Sequence, residues 1–337
     1  MEFGVGLFPT GPADQMVQRA VLAEELGFDA FWVADTHLIW REAWVLLGAI
    51  AQRTSRIALG PGVTHPIVRH PTLIAAAIAT LHELAPGRVH LGIGIGDSGP
   101  ANMGQRRATL AELEAAVCDI RALLGGKAIN QTGTTMRLAY AAEPGVNIYV
   151  AGASDRTHRM SGRVADGALV AGALDELGDS IAAIRAGEDD GGRPAGSTRV
   201  VLFTTACVDD DEATAHAAVR AIVARKAILS LGRAARLGRI APEDQEPLNR
   251  LQQAYETQHH MDARYAELVP DRWVERFALG GTPDRILARC RRATADGVDQ
   301  IAVVFSGPDP AVQMRTFASR VIAPLQGTAF KGKGASF

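Results

Sequence analysis

The sequence predicts a (β/α)8 TIM barrel, an α/β fold in which eight parallel strands each lead into a helix. Two patterns and one magnitude carry that expectation. Short apolar runs rich in Val, Ile and Phe alternate with longer runs of helical periodicity, which implies a parallel sheet covered by helices. Eight such units follow one another, the number at which the sheet closes on itself. The chain is 337 residues long, more than the roughly 250 a barrel needs, so insertions are expected.

The units are legible in order. Residues 3–8 form a β-rich run stopped by Pro9, Gly11 and Pro12, and 16–26 repeat apolar positions every three or four residues before Gly27. A second strand is predicted over 28–34, ending at Asp35, Thr36 and His37, and a second helix over 42–53. The third strand starts at 57–59 and ends in GPGVTHP (60–66). Pro71 opens a helix over 71–84, at a position that tolerates a missing N–H. The fourth strand occupies 89–95, with a helix at 109–124. Four more strands follow at 147–150, 167–170, 199–208 and 298–305, with helices at 156–164, 174–186, 212–231 and 310–322. Their apolar character fits strands buried on both faces. Two stretches break the period. Residues 125–145 read as a turn-rich excursion, and 232–277, charged and mostly helical, as the largest insertion, placed before the eighth unit and covering one mouth of the barrel. We expect a single domain over 1–327 and a loose tail over 328–337.

Residues 87–99, GRVHLGIGIGDSG, contain a literal G-x-G-x-x-G at Gly94, Gly96 and Gly99. A dinucleotide fingerprint needs a strand, a helix starting inside the glycines, and an acidic residue at the end of the next strand about 20 residues on. Only the strand is present. Pro100, Asn102 and Gly104 break the chain where the helix should begin, and Glu114 lies inside a helical run. The stretch is better read as barrel strand four, its glycines giving clearance at the strand end.

Composition narrows the function. Hydrophobic residues make up 47% of the chain and the net charge is −2. A large core is expected, and no global field points to nucleic acid or an anionic membrane. The three cysteines, Cys118, Cys207 and Cys290, have no metal or disulfide spacing, which fits a reducing cytoplasm. No signal peptide and no apolar run of about 18 residues is seen, so no membrane span is expected.

In such barrels the chemistry sits where the strands end. Those ends supply Asp35, Thr36 and His37, then Gly62, Val63, Thr64 and His65, then Gly96, Asp97 and Ser98, then Ala151, Gly152, Ala153 and Ser154, then Gly172. Asp97 reads either as a polar contact or proton acceptor at a ligand, or as a cap of its own loop. The small residues 151–154 precede a helix whose N–H groups can face a phosphate. Arg156 and His158 read as solvated helix charges, and Asp166, before its strand, as structural. His259 and His260 have no partner at metal spacing, and no metal site is expected.

The segments FWVADTHLIWREAW (31–44), RIALGPGVTHPIVRHP (56–71), ATLHELAPGRVHLGIGIGDS (79–98), IYVAGAS (148–154), VADGALVAG (164–172) and RFALGGTPD (276–284) resemble the luciferase-like monooxygenase superfamily. They are most similar to the branch of F420-dependent methylenetetrahydromethanopterin reductase. The resemblance implies a barrel that binds the deazaflavin F420 or FMN. It implies that Asp35 and His37 meet cofactor and substrate, His37 handling a proton. It places a non-proline cis peptide at Gly62-Val63, with Val63 behind the ring and Thr64 at its edge. Gly96, Ala151–Ser154 and Gly172 follow as cofactor contacts, and Arg69-His70-Pro71 as an anchor and helix start.

The expected activity is F420-dependent hydride transfer between the deazaflavin C5 and a small organic substrate, with His37 and Asp97 as the catalytic residues. The alternatives are an FMN-dependent monooxygenase supplied by a flavin reductase, and a non-catalytic flavin-binding relative. Homo-oligomerisation is expected from the resemblance.

Overall fold

The computed structural model describes residues 1–140, 145–256, 259 and 262–327. The tail at 328–337, four residues of the 125–145 excursion and His260 lie outside them.

The first half of the chain runs β1 (Glu2–Leu7), α1 (Ala13–Glu25), β2 (Ala30–Val33), α2 (Ala43–Arg53), β3 (Ala58–Pro61), α3 (Pro71–Leu84), β4 (His90–Ile93), α4 (Ser98–Asn102) and α5 (Leu110–Leu124). The hairpin β5 (Ile129–Gln131) and β6 (Thr134–Met136) follows, turned by Thr132 and Gly133, both at positive φ. Next come β7 (Asn147–Gly152), α6 (Asp155–Val164), β8 (Gly167–Val170), α7 (Leu177–Asp190) and β9 (Arg199–Val208). The remainder is α8 (Glu212–Arg236), α9 (Pro242–Ala254), α10 (Asp271–Phe277), β10 (Ala278–Gly281), α11 (Pro283–Ala295), β11 (Gln300–Phe305), α12 (Pro310–Phe317) and α13 (Ala323–Gln326).

Eight strands make the barrel, all parallel, in the order β3-β2-β1-β11-β9-β8-β7-β4. The ring closes between β3 and β4 through the bridges Leu59–Val89 and Thr64–Ile93. Closure there is tight. A Cβ on Gly60 would lie 1.9 Å from the His90 carbonyl, and one on Gly92 would lie 2.3 Å from that of Pro61. At the opposite mouth one device recurs three times. Asp29, Asp166 and Asp299 each donate a backbone N–H to the start of a neighbouring strand, at Phe3, Ile148 and Val200. Each side chain accepts the N–H of that same residue at 2.7–2.8 Å. The Asp166 assignment as structural is thereby explained.

Trp32, Tyr149, Leu169, Val201 and Ala302 fill the barrel interior, and a larger apolar layer joins barrel to helices. A second core lies outside it: Val219, Val223 and Leu231 of α8 pack with Leu248, Tyr265, Trp273 and Phe277.

Several expectations are corrected. The chain does form a helix at Ser98, where the glycines and Pro100 argued against one, because Pro100 falls in the first turn, where no intrahelical N–H is needed. The 212–231 helix continues to Arg236 and packs on the second core rather than serving as the seventh barrel helix. That place goes to α11, which the sequence reading passed over, as it did β10, a short strand paired to the far end of β9. The excursion expected at 232–277 therefore starts at Glu212. The 174–186 helix opens as a 3-10 turn, Leu174–Glu176, and α7 runs to Asp190. The last helix is interrupted by a π turn at Ala318–Ile322.

Candidate active site

A cavity of about 300 Å³ lies at the C-terminal ends of β2, β3, β4, β7, β8 and β9. That volume is at the lower end of small-molecule sites. Val63, Leu169, Phe203 and Val304 give it an apolar floor, and α8 crosses above it, contributing Ile222, Arg225, Lys226 and Leu229.

The β2 and β3 ends converge on Asp35. Its buried carboxylate accepts from the Thr64 hydroxyl at 2.8 Å, the Trp44 indole at 3.1 Å and Arg69 Nε at 2.9 Å. Arg69 also bonds Glu42. The charge is thus paired and hydrogen-bonded, the condition for burying it. Thr64 turns its hydroxyl to Asp35 and is itself fully buried, so it does not reach a ring edge in the cavity. Asp35 borders the cavity with its oxygens already engaged. Arg69 is the anchor expected of it, and His70 caps α3.

The Gly62–Val63 peptide is cis, and both residues line the cavity. His37 is half-buried and is not among the lining residues; Thr36 is, its hydroxyl 3.3 Å from that of Ser98. The imidazole that does line the cavity is His65. Burial lowers its pKa, opposed by Asp35 and assisted by Arg69 and His37. Its Nδ1 accepts the Val68 N–H at 3.5 Å, and its Nε2 packs on Gly99.

Asp97 also lines the cavity, held by two guanidiniums: Arg107 at one oxygen, and Arg225 of α8 at 3.1 Å on the other. It ties the roof helix to the end of β4, and neither of the roles read from sequence included that. Its glycine neighbours serve the protein before any ligand. A Cβ on Gly96 would strike Pro100 at 2.7 Å, and one on Gly99 would meet His65 at 2.4 Å; Gly94 alone meets ordinary or near-ordinary contacts.

Ala151, Gly152 and Ala153 border the cavity, while Ser154 caps α6 through the Thr157 N–H. His158 is buried rather than solvated, with Nε2 3.1 Å from the Gly152 carbonyl, and burial lowers its pKa. Arg233 of α8 donates to the Ala153 carbonyl at 2.9 Å. Gly172 is not among the lining residues, whereas its neighbour Ala171 is.

The sequence profile of the luciferase-like monooxygenase family matches residues 1–300. The chain belongs to this family. A relative is the 5,10-methylenetetrahydromethanopterin reductase of Archaeoglobus fulgidus, 28% identical over 97% of this chain and 100% of that one. Among solved structures, the coenzyme F420-dependent tetrahydromethanopterin reductase of Methanopyrus kandleri superposes with a TM-score of 0.82 at 24% identity, covering 96% and 99% of the two chains. The oxygenating constituent of 3,6-diketocamphane monooxygenase from Pseudomonas putida, in complex with FMN, does so at 0.64 and 18% identity, covering 95% and 97%. These likenesses bear out the barrel.

Within the family frame, the residues that sequence reasoning missed come mainly from α8. Arg225, Lys226 and Arg233 all face the site from a helix read as outer cladding. A faint signal existed: a lone lysine in an alanine-rich, arginine-rich helix. Glu212, His216 and Glu275 also gather within 4.8 Å, but Arg285 bonds both carboxylates, so the cluster is a charge network.

Among the described residues, no helix is long and apolar enough to cross a membrane.

Proposed function

We propose that the chain is an F420-dependent oxidoreductase acting on a small organic substrate. The observation that carries the reading is the cavity itself: an apolar slot between Gly62 and Val63, just past the end of β3, and the α8 roof, lined by small residues at the ends of β4 and β7. A flat aromatic ring fits such a slot, and relatives named as F420-dependent dehydrogenases, 35% identical over 61% and 47% of this chain, support the choice of ring. When bound, the deazaflavin supplies hydride transfer at C5.

The chain's own residues do the rest. Val63 backs the ring, and the small residues Gly94 and Ala151 allow close approach. Ala153 and Ser154, at the start of α6, together with Arg233 supply positive potential for a phosphate. Asp35 positions the segment after β3 through Thr64. Asp97 holds the roof, and α8 excludes water. His37, off the cavity wall, is not retained as the proton handler.

A second reading, an FMN-dependent monooxygenase fed by a flavin reductase, draws on the FMN-bound neighbour of the same fold. Titration of the purified protein with F420 and with FMN, followed by absorbance and fluorescence, separates the two. Tight F420 binding is expected; FMN binding without F420 binding would install the second reading, and binding of neither the non-catalytic one. We also place the enzyme in the cytoplasm, and infer self-association through Leu38, Val45 and Leu73, large apolar side chains exposed on and beside α2 and α3.

A further inference from the structure

The chain carries 35 lysines and arginines, of which four are lysines: Lys127, Lys226, Lys331 and Lys333. Lys127 is exposed, and the last two lie outside the described residues. Lys226 lines the cavity. An arginine there would supply charge but no proton, since its guanidinium stays protonated. Lysine is the cation that gives a proton up when desolvated.

Its surroundings fit that use. The Lys226 ammonium donates to the Phe277 carbonyl at 2.9 Å, the Thr204 hydroxyl at 3.2 Å and the Phe203 carbonyl at 3.4 Å. These acceptors occupy the gap where β9 leaves β8 and takes up β10. All three are neutral, and no carboxylate pairs with Lys226 among the described residues. The charged groups around it are Arg225 on α8 and Arg289 on α11, the latter held by Glu275 and the Ala278 carbonyl. Losing a proton therefore costs one hydrogen bond and no ion pair. Burial, with Arg289 adding to it, brings the pKa down to about 7. The other titratable groups on the wall are Asp35, committed to Arg69, Asp97, committed to Arg107 and Arg225, and His65, whose Nδ1 takes the Val68 N–H at 3.5 Å and whose Nε2 packs against Gly99.

We propose that Lys226 is the acid–base residue of this cavity, addressing the heteroatom of a carbonyl or imine group on an otherwise apolar substrate. The proposal rests on the oxidoreductase reading above. In the reducing direction a hydride from the reduced deazaflavin forms a C–H bond, and the C=X π electrons move to X. X takes a proton as the Lys226 N–H bond breaks, and that electron pair remains on the amine. The oxidising direction reverses each step. The apolar floor of Val63, Leu169 and Phe203 suits the body of such a substrate.

The test reads the amine directly. Wild-type protein is treated with octanal and cyanoborohydride from pH 6 to 10, and alkylated lysines are located by mass spectrometry. We expect Lys226 to be modified at least about tenfold faster than Lys127 at pH 7, with a midpoint well below that of an ordinary lysine. Lys226→Arg, folded by its circular dichroism, should lose the neutral-pH labelling. Labelling of Lys226 no faster than Lys127 would overturn the proposal and leave a brace across the sheet. F420 titration of the same wild-type sample stands apart: absence of binding there removes the cofactor reading, whereas binding with an unreactive Lys226 removes this inference alone.

Discussion

At the scale of single residues, charge placement decides most roles. Asp35 ends a strand, and the family resemblance implies that it meets the cofactor; in the structure its carboxylate is enclosed and its counter-ion comes from Arg69, 34 positions on. No pattern within FWVADTHLIW announces that pairing. Removing the partner of a buried charge costs about 3–5 kcal/mol, because the charge remains without compensation. Arg69→Ala is accordingly expected to lose about 3 kcal/mol in urea unfolding, and Asp35→Asn with Arg69→Ala less than the sum of the single changes. Independent, additive losses would show that the pair is not the unit. Asp97 differs. Its partners sit near the surface, where each such pair contributes about 0.2–1 kcal/mol. Asp97→Asn should barely change global stability but speed amide exchange in residues 212–236, since it unlatches Arg225. Unaltered exchange there would remove the latch.

At the scale of elements, the barrel was legible because its strands are short apolar runs and its helices begin with readable caps. Pro71 starts α3, and Thr109 with Glu112 forms a capping box at α5. The strand-end glycines were legible as positions but not as causes, because their crowding comes from residues distant in sequence. What failed to read was the seventh unit. β10 is four residues long, and the long, alanine-rich α8 took the place that belongs to α11. Helix periodicity gives an apolar face but not the surface it packs on. The α6–α7 pair shows the same limit: a Cβ on Gly187 would lie 1.9 Å from the Arg159 carbonyl, and one on Gly162 would lie 2.0 Å from that of Ile184. Both glycines sit inside helices, where alanine is otherwise favoured by up to about 1 kcal/mol. Gly187→Ala should therefore destabilise by about 1–3 kcal/mol as the helices separate, measured by thermal unfolding. A stabilised variant would mean the helices part without cost.

At the scale of the molecule, two cores meet along β9, β10 and α8, and the site lies beside that seam. α8 packs Val219, Val223 and Leu231 into the outer core while Arg225 and Lys226 face the cavity. Two desolvated bases, one at the cavity and one inside the barrel, shape how the whole fold responds to pH. Lys226 titrates at about 7 in the fold against 10.5 for a free lysine, and His90, in the barrel beside Trp32 and Tyr149, at about 4 against 6.5. Burial is the leading cause for both, with Arg289 and Arg199 adding to it. In each case the unfolded chain binds the proton more tightly. Stability therefore rises with pH wherever one state is protonated and the other is not. For His90 that window runs from about 4 to 6.5, and for Lys226 from about 7 to 10.5. Urea midpoints measured at pH 5, 7 and 9 should climb for the wild type. Lys226→Met should flatten the step between 7 and 9 and leave that between 5 and 7 in place; His90→Gln should shrink the lower step, to which the buried His65 and His158 also contribute, and leave the upper one in place. Differencing each variant against wild type cancels the surface carboxylates, which titrate in both. If Lys226→Met kept the full rise above pH 7, the ammonium would be as well solvated in the fold as in the unfolded chain, and α8 would not be sealing the cavity from water.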